Sequence, residues 1–392
     1  MSYSPEMQRI LDLIPVSGED VFDFDTFYST ELALMLDSMK HTRQDPEYHG
    51  EGDVYCHTRA VCESLVGLDD YKVMEADDKR TVFLAALLHD IGKIRCTRER
   101  DGRIVSPYHT KVGAVMAREL LWHRLGLCGS REAQQLREAV CQLIRYHSFP
   151  PYASSDENGE VKLLKIASNG ELASGFSMHK LCLLEKADVL GRISSNADDY
   201  MERILCCEIM AEELSCTHNP YVFADAHSQR EYFRRGSGWR DGVMYDDTWG
   251  EVILMCGLPG TGKDTWIENN HPDMPVVSLD AVRQELNVSP KDNQSKVVAT
   301  AREYAREHLR RKRPFIWNAT SVTGQLRSNF IDLAESYGAK VRLVFLETSY
   351  DEELRRNADR QARVPQEVID RMLSNFETPE RFECDSVEWR TV

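Results

Sequence analysis

Residues 252–265 read V-I-L-M-C-G-L-P-G-T-G-K-D-T, an apolar run followed at once by three closely spaced glycines and a lysine. The apolar run predicts a buried strand. Gly257, Gly260 and Gly262 would let backbone N–H groups approach a polyphosphate, and Lys263 would place a positive charge on it. A helix that begins after this loop would add its positive end. The stretch therefore predicts a phosphate-binding loop, although a glycine turn without a ligand is the plainer alternative.

The loop departs from the usual pattern G-x-x-x-x-G-K-[ST] at one position. A hydroxyl that ligates Mg²⁺ is expected after the lysine, but the chain has Asp264, and Thr265 comes one place later. We expect ATP or another nucleoside triphosphate, with Mg²⁺, as the ligand. The residues predicted to bind it are Gly257, Gly260, Thr261, Gly262, Lys263, Asp264 and Thr265.

Length and composition limit the classes of protein. At 392 residues the chain is too long for one ordinary core, so two domains and a connector are expected. The net charge of −16 argues against a protein that coats nucleic acid, although binding a strand end needs few cations. A basic leader and a membrane-length apolar run are both lacking. Together with 11 cysteines and no C-x-x-C pair, this predicts a cytoplasmic protein without a membrane partner.

The first half places ionisable residues on apolar helix faces. The run T-V-F-L-A-A-L-L-H-D-I-G-K from Thr81 predicts a buried helix, yet it carries the pair His89 and Asp90. Burying a neutral polar group without a partner costs about 2 to 7 kcal/mol, and a charge costs more. These two side chains therefore need compensating partners.

The same feature recurs at His57, His147 and Asp188, which continue apolar helical registers. A single histidine of this kind is more often a satisfied core residue. Several of them with two aspartates form a ligand set suited to Mn, Fe, Co, Ni or Zn. We therefore expect one or two divalent transition metals in this half.

Five segments carry a resemblance to the HD-domain phosphohydrolases: His57, H-D-I-G-K at 89–93, Y-H-T-K-V-G-A around His109, R-Y-H-S-F-P around His147, and E-K-A-D-V-L-G-R around Asp188. The resemblance covers roughly residues 50 to 200. It implies an all-helical bundle that hydrolyses phosphoesters with bound metal.

The resemblance also implies roles for individual residues. His57, His89, Asp90 and Asp188 would hold one metal, and Asp90 would bridge to a second. His109 and His147 would hold that second metal or the scissile phosphate. Lys93 and Arg192 would meet phosphate oxygens. Four histidines match none of the motifs and are interpreted as surface or packing residues: His41, His49, His123 and His179. His49 stays open as the rival to His57, which is preferred because it lies in an apolar helical register.

The second half alternates apolar strand-like runs with helical patterns, which predicts a parallel sheet with crossover helices. Asp280 and Arg283 follow the strand-like run 275–279, at the sheet edge where such folds carry their sites. Asp280 could instead be a simple helix N-cap. Arginines also cluster at 302–313 and 355–363, and solvated helix faces are an equally good interpretation of these clusters.

The loop, Asp280 with Arg283, and the arginine-rich stretch R-R-N-A-D-R-Q-A-R-V-P at 355–365 resemble the P-loop polynucleotide 5′-kinases. The resemblance implies that Asp280 accepts the proton of a 5′-hydroxyl and that Arg283 holds the neighbouring phosphate. Lys263 would stabilise the transferred phosphoryl group, and Arg360 and Arg363 would close over the nucleotide. Many of these kinases have aspartate where this chain has Asn318, which makes Asn318 a candidate polar contact to metal water or acceptor.

The whole chain resembles the bacterial bifunctional end-healing enzymes called HD-Pnk. Residues 1–215 would form the HD phosphohydrolase, 216–248 a linker, and 249–392 the α/β P-loop kinase. The implied function is removal of 2′,3′-cyclic phosphate or 3′-phosphate ends and ATP-dependent phosphorylation of 5′-hydroxyl ends. The substrate would be RNA, with DNA ends also open, and a separate ligase would act afterwards. A homodimer is compatible with the sequence.

Two alternatives stay open. One is an HD domain that hydrolyses mononucleotides beside a kinase of a small molecule, since both folds serve many substrates. The other is an ATP-gated regulatory protein, which the unusual Asp264 favours and the full set of metal-type ligands opposes.

Overall fold

A computed structural model describes residues 3–17, 22–236, 238–289, 292–360 and 363–392. The chain forms two compact units, Met1–Val222 and Phe223–Val392. Among the described residues, the structure has no helix with both the length and the apolar character needed to cross a membrane.

The first unit is helical, as predicted. Its α-helices are α1 (Pro5–Asp12), α2 (Ala33–Lys40), α3 (Val54–Gly67), α4 (Asp69–Val73), α5 (Ala76–Leu88), α6 (Lys93–Cys96), α7 (His109–Glu119), α8 (Arg131–Tyr146), α9 (Gly159–Ser168), α10 (Met178–Leu190) and α11 (Ala197–Glu213). Short 3-10 helices span Phe24–Ser29, Pro150–Ser155 and Asn169–Glu171, and a π-helical turn spans Leu120–Arg124. A small antiparallel hairpin, β1 (Arg98–Arg100) and β2 (Arg103–Val105), is the departure from an all-helical unit.

Helix α5 is the centre of this bundle. Its residues from Thr81 to Leu88 are all buried, and it packs against α3, α8 and α10. Side chains at three helix starts accept backbone N–H groups and fix where those helices begin: Asp53 for α3, Ser130 for α8 and Ser177 for α10. The predicted buried helix is confirmed.

Two glycines allow the close helix approaches that gather the site. A Cβ built on Gly92 would lie 2.0 Å from the carbonyl oxygen of His109. A Cβ built on Gly191 would lie 2.7 Å from the backbone nitrogen of Val61. Larger residues at these positions would push α7 away from the end of α5, and α10 away from α3.

The second unit is an α/β domain. Its elements are α12 (Ala226–Arg235), β3 (Glu251–Cys256), α13 (Lys263–Asn270), β4 (Val276–Ser278), α14 (Leu279–Glu285), α15 (Ser295–Arg310), β5 (Ile316–Asn318), α16 (Gly324–Glu335), β6 (Lys340–Glu347), α17 (Tyr350–Ala358), α18 (Gln366–Leu373), a 3-10 helix (Arg381–Glu383) and β7 (Ser386–Thr391).

The five strands of this unit are ordered β4-β5-β3-β6-β7, and all neighbouring pairs are parallel. The predicted parallel sheet with crossover helices is therefore confirmed. Because the carboxyl ends of parallel strands share one edge, the loops after β3, β4 and β5 emerge side by side. That edge carries the phosphate loop, Asp280 and Asn318.

The segment predicted to be a linker, 216–248, contains the folded helix α12. Asp225 caps this helix, and Tyr232 and Phe233 are buried beside the ring of Phe223. Arg230 donates to Glu335 within the second unit. The helix is strongly charged and flanked by glycine and proline, so its sequence lacks a sustained apolar period.

Candidate functional site

In the first unit, four predicted ligands converge where α3, α5 and α10 meet. The Nε2 atom of His57 lies 2.9 Å from Oδ1 of Asp188 and 3.5 Å from Oδ2 of Asp90. The Nε2 atom of His89 lies 3.3 Å from the same Asp90 oxygen and 3.3 Å from Nε2 of His57. All four side chains are at most 1% exposed.

These spacings fit a metal ion. Around an ion with bonds of about 2.1 Å, neighbouring ligand atoms lie roughly 3.0 to 3.5 Å apart. Neither buried carboxylate oxygen of Asp90 receives a well-formed hydrogen bond from the described residues, although Nζ of Lys93 lies 2.7 Å from Oδ2. A cation between these atoms would satisfy the carboxylate.

A second group of ligand atoms shares Asp90. The atoms offered by Asp90, His109 and His147 all lie within 4.8 Å of one another, as do those of His57, His89 and Asp90. The Nε2 atom of His109 is 3.6 Å from Oδ1 of Asp90, the oxygen opposite the first group. The arrangement could hold two ions bridged by Asp90.

The histidine tautomers are fixed by the backbone. The Nδ1 atoms of His89, His109 and His147 lie 2.8 to 2.9 Å from the carbonyl oxygens of the residues three places earlier. Since Nδ1 must carry the hydrogen to donate there, Nε2 keeps its lone pair. Three Nε2 atoms are thereby prepared to ligate a cation.

Burial and neighbouring charges shift the pKa values of the cluster in different directions. Burial, helped by His89 and His109, lowers the pKa of His147 to about 3. Burial alone would raise the pKa of Asp90, but Lys93 and His89 outweigh it and hold that pKa well below its usual range. Burial would lower the pKa of His57, yet hydrogen bonding to Asp188 and Glu51 raises it, so this point attracts positive charge.

The two cations predicted to meet phosphate lie beside the cluster and are paired with protein groups. Lys93 donates to Oε1 of Gln44 at 2.6 Å and faces Asp90. Arg192 pairs with Asp188 through both its Nε and Nη2 atoms. Both line the same cavity.

His49 was interpreted from sequence as an ordinary histidine, and the structure corrects this. Its Nδ1 atom lies 2.8 Å from Oε1 of Glu51, and its ring meets that of His57 edge to face at 4.8 Å. The same Glu51 oxygen lies 2.9 Å from Nδ1 of His57. Both residues sit in a glycine-flanked loop without periodicity, so no register indicated their position. His41 and His123 are exposed, as expected, and His179 is half-buried.

Sequence reasoning also missed Glu185. It is 2% exposed and lines the cavity, and burial together with the charge of Asp188 raises its pKa well above the usual range. The one sequence signal was its place three residues before Asp188, on an apolar helix.

The cluster opens into a cavity of about 400 Å³. Besides Asp90, His109 and His147, its lining includes Ser148 from the segment around His147. It also includes polar and aromatic side chains that belong to no predicted motif: Tyr48, Tyr152, Asn196 and Tyr200. The hydroxyls of Tyr152 and Tyr200 lie 3.0 Å apart. The cavity therefore combines cationic side chains that could bind a phosphate with an aromatic surface.

In the second unit, the phosphate loop follows β3 and leads into α13. Gly257, Gly260 and Gly262 have φ values of 147°, 93° and 84°, which are open to glycine and strained for other residues. A Cβ on Gly257 would also lie 2.6 Å from the carbonyl oxygen of Leu346. The loop is thus shaped for a backbone cradle.

Lys263 spans this cradle. Its Nζ donates to the carbonyl oxygens of Gly257 and Leu258, both at 2.8 Å. Burial lowers its pKa to about 8, although the charge of Asp264 opposes the shift. Glu353, behind the loop, is buried without a hydrogen-bond partner among the described residues, and burial raises its pKa to about 8.

Asp280 is free of a capping role. The side chain that caps α14 is Ser278, which accepts from the backbone of Ala281. Asp280 instead pairs with Arg283, and its side chain is 67% exposed. The N-cap alternative is therefore wrong, and the carboxylate stands open to an acceptor.

The arginine-rich stretch lies partly outside the described residues, which do not include 361 and 362. Arg360 lies 4.0 Å from Oδ2 of Asp280 and is close enough to Lys263 to lower its pKa. Arg363 is exposed. Arg356 also lies close to the loop, with Nη1 3.5 Å from a Cβ built on Gly262.

Asp264 and Asn318, the two departures from the usual pattern, are in contact. The Nδ2 atom of Asn318, at the end of β5, donates to Oδ1 of Asp264 at 2.7 Å. Thr265, the next residue of α13, is exposed.

Comparisons with known proteins agree with this division. Residues 54–172 match the HD domain family. Residues 252–379 match the AAA domain family AAA_33. An HD domain is thus joined to a P-loop kinase-like domain, a combination that indicates an enzyme.

Individual relatives match about a third of the chain at low identity. The L-seryl-tRNA(Sec) kinase of Methanococcus maripaludis is 24% identical over 136 residues, which are 33% of this chain and 53% of the relative. The chain thus spans about half the length of this curated relative. Two solved structures are similar: a protein from Chloroflexus aurantiacus described as a kinase (19% identity, TM-score 0.31, 37% of this chain and 86% of that one) and a gluconokinase from Sinorhizobium meliloti (18%, 0.28, 37% and 84%).

Proposed function

We propose that this protein heals nucleic-acid ends. The HD unit would remove a 2′,3′-cyclic phosphate or 3′-phosphate, and the kinase unit would phosphorylate a 5′-hydroxyl with ATP. RNA is the proposed substrate, with DNA ends as a second acceptor. The products, a 3′-hydroxyl and a 5′-phosphate, are the ends that a separate ligase could join.

The observation that carries the first half is the convergence of six metal-type ligands on a shared Asp90. Divalent ions held there would supply an acidified water and neutralise phosphate charge. Lys93 and Arg192 would exchange their present carboxylate contacts for phosphate oxygens. Glu185, with its raised pKa, could hold a proton close to the leaving oxygen.

The cavity beside the cluster supports a nucleotide as substrate. Its volume of about 400 Å³ falls in the range of small-ligand pockets. Tyr152 and Tyr200 offer aromatic surface of the kind on which unpaired bases stack. Ser148 and Asn196 offer hydrogen bonds for a sugar.

The observation that carries the second half is the exposed Asp280 beside Arg283. Asp280 would accept the proton of the attacking hydroxyl, and Lys263 would stabilise charge on the transferred phosphoryl group. Arg283 would bind a phosphate of the acceptor strand, which a free nucleoside lacks. The archaeal relative, named for a tRNA-borne substrate, supports an acceptor attached to nucleic acid.

The test uses the full chain and two substrates. An RNA with a 2′,3′-cyclic phosphate is incubated with Mn²⁺, Co²⁺ or Ni²⁺, and a 5′-hydroxyl oligonucleotide is incubated with labelled ATP and Mg²⁺. We expect phosphate release from the first and label transfer to the second. Transfer to a free nucleoside or a sugar in preference to the oligonucleotide would replace the proposal with small-molecule metabolism. ATP binding without transfer to any acceptor would favour the regulatory alternative.

A further inference from the structure

The contact between Asp264 and Asn318 explains two sequence departures at once. In P-loop enzymes Mg²⁺ is held by a Ser or Thr hydroxyl after the lysine and by an Asp on a neighbouring strand. Here the loop position carries the carboxylate and the strand position carries a neutral amide, and their side chains are 2.7 Å apart. Like the usual hydroxyl and aspartate, the pair of Asp264 and Asn318 therefore contains one negatively charged group and one neutral hydrogen-bonding group.

The strand position is well defined by the sheet. Strand β5 pairs directly with β3, the strand that leads into the loop, with Trp317 opposite Leu254. Asn318 ends β5 and is 9% exposed, so its side chain is held close to the start of α13. It occupies the place from which a strand carboxylate would reach the metal.

The two residues are also mutually dependent. An aspartate at 318 would bring a second carboxylate oxygen to hydrogen-bond distance from Asp264, and two like charges at that distance repel. An amide at 318 removes this repulsion and donates a hydrogen bond to Asp264. The amide thus fixes the orientation of the carboxylate.

Neighbouring groups are poor substitutes for Asp264. Thr265 lies about 100° further round the helix, so its hydroxyl faces another direction. Glu353 also acts on the charge of Lys263, but it is 0% exposed and lies behind the loop. Asp264 is exposed at the mouth of the cradle.

We infer that Asp264 is the protein's carboxylate ligand for the Mg²⁺ of the bound nucleotide, and that Asn318 is the residue that positions it. The two chemical roles are exchanged between loop and strand relative to the usual arrangement. This inference rests on the nucleotide-binding part of the proposed function and does not depend on which acceptor is phosphorylated.

A double-mutant cycle tests the exchange. The variants are Asp264→Ser, Asn318→Asp and the double variant, which restores the usual hydroxyl and strand carboxylate. Affinity for a fluorescent ATP analogue is measured with and without Mg²⁺, and Mn²⁺ binding in the presence of ATP is followed by electron paramagnetic resonance. Asp264→Ser should lose about tenfold or more of the metal-dependent affinity, whereas the double variant should recover most of it.

Controls separate the metal role from folding. Asp273→Ser changes an exposed aspartate in the turn after α13 and should leave both measurements unchanged. Asp264→Asn keeps the shape of the side chain and should lose metal affinity while retaining metal-free nucleotide affinity and thermal stability. Unchanged metal-dependent affinity in Asp264→Ser, or no recovery of that affinity in the double variant, would overturn the inference.

The outcome is independent of end healing. If the wild-type protein transfers no phosphoryl group to a 5′-hydroxyl end but the cycle shows rescue, the proposed acceptor fails and the metal assignment stands. If transfer occurs and the cycle shows no rescue, the metal assignment fails alone.

Discussion

The two sites hold their charged atoms in different ways. In the helical unit, the ligands come from helices α3 and α10 and from the turn after α5, and they are almost completely buried: His57, Asp188, His89 and Asp90. In the α/β unit, the cradle is one continuous loop made mainly of backbone, and Asp280 is largely exposed. Ligands held apart from water must be compensated by a cation, whereas the carboxylates of Asp264 and Asp280 are exposed to solvent until a nucleotide arrives. Substitutions should therefore affect metal content in the first site and ligand affinity in the second.

The largest effect is expected at Asp90. Asp90→Asn removes the charge shared by both ligand groups, so bound transition metal and phosphoesterase rate should each fall by at least about 100-fold. Metal analysis of the purified protein and hydrolysis of a cyclic-phosphate RNA are the measurements. Asp101→Asn, at an exposed hairpin turn, is the matched control. Equal loss of kinase activity in Asp90→Asn would contradict the separation of the two sites.

Lys263→Ala should cause a comparable loss of activity, but only in the α/β unit. Without this charge, phosphoryl transfer should fall on the order of 10²- to 10³-fold. Stability should not fall, because a buried lysine whose pKa is lowered to about 8 is costly to keep charged at neutral pH. Steady-state kinetics and thermal unfolding check both parts. Phosphoesterase activity must persist in this variant.

Buried ion pairs extend the comparison to stability. Glu138 accepts hydrogen bonds from Arg118 and Arg137, and all three are at most 4% exposed. Glu138→Gln would leave two buried guanidinium groups without their counter-charge, and a loss of about 3 to 5 kcal/mol is expected. In the second unit Glu383→Gln should cost less, about 1 to 3 kcal/mol, because it removes the charge beside one guanidinium group, that of Arg327, which also donates to two backbone carbonyls.

Amide hydrogen exchange in peptides of α8 and α16 measures the two losses separately. The pH dependence gives a second check. Burial would raise the pKa of Glu138, but the two arginines lower it to about 2. Its stabilisation should be complete above the ordinary carboxyl pKa of about 4.5 and be lost as the pH falls towards 2. Equal losses in both units would show that backbone partners do not protect Arg327.

The smallest effect is expected at Glu51. Its carboxylate contacts Nδ1 of His57 and orients that ring, but Glu51 is not one of the predicted metal ligands. Glu51→Gln keeps the size of the side chain but removes its charge, and metal affinity should fall about tenfold. Titration with Co²⁺ followed by its absorption spectrum measures the affinity. The exposed Glu47→Gln provides the comparison. An unchanged spectrum and affinity would make Glu51 a packing residue only.

The sequence determined the local features of this protein. Glycine spacing after an apolar strand specified the phosphate loop, and His89 with Asp90 on an all-apolar helix required a compensating partner. Fold class follows from these patterns because helix and strand periods depend on neighbours a few residues apart. The same reasoning could not find Glu51 or helix α12, and it ranked His49 below His57, because all three lie in stretches without such a period.

Only the tertiary structure decided which distant residues meet. It joined His57, Asp90 and Asp188 across 131 positions of chain, and it replaced two separate departures, Asp264 and Asn318, with one hydrogen-bonded pair. It also assigned the cap of α14 to Ser278, which left Asp280 open. These outcomes depend on helix packing and strand order, and the physical reason is that contacts far apart in sequence are set by the whole core.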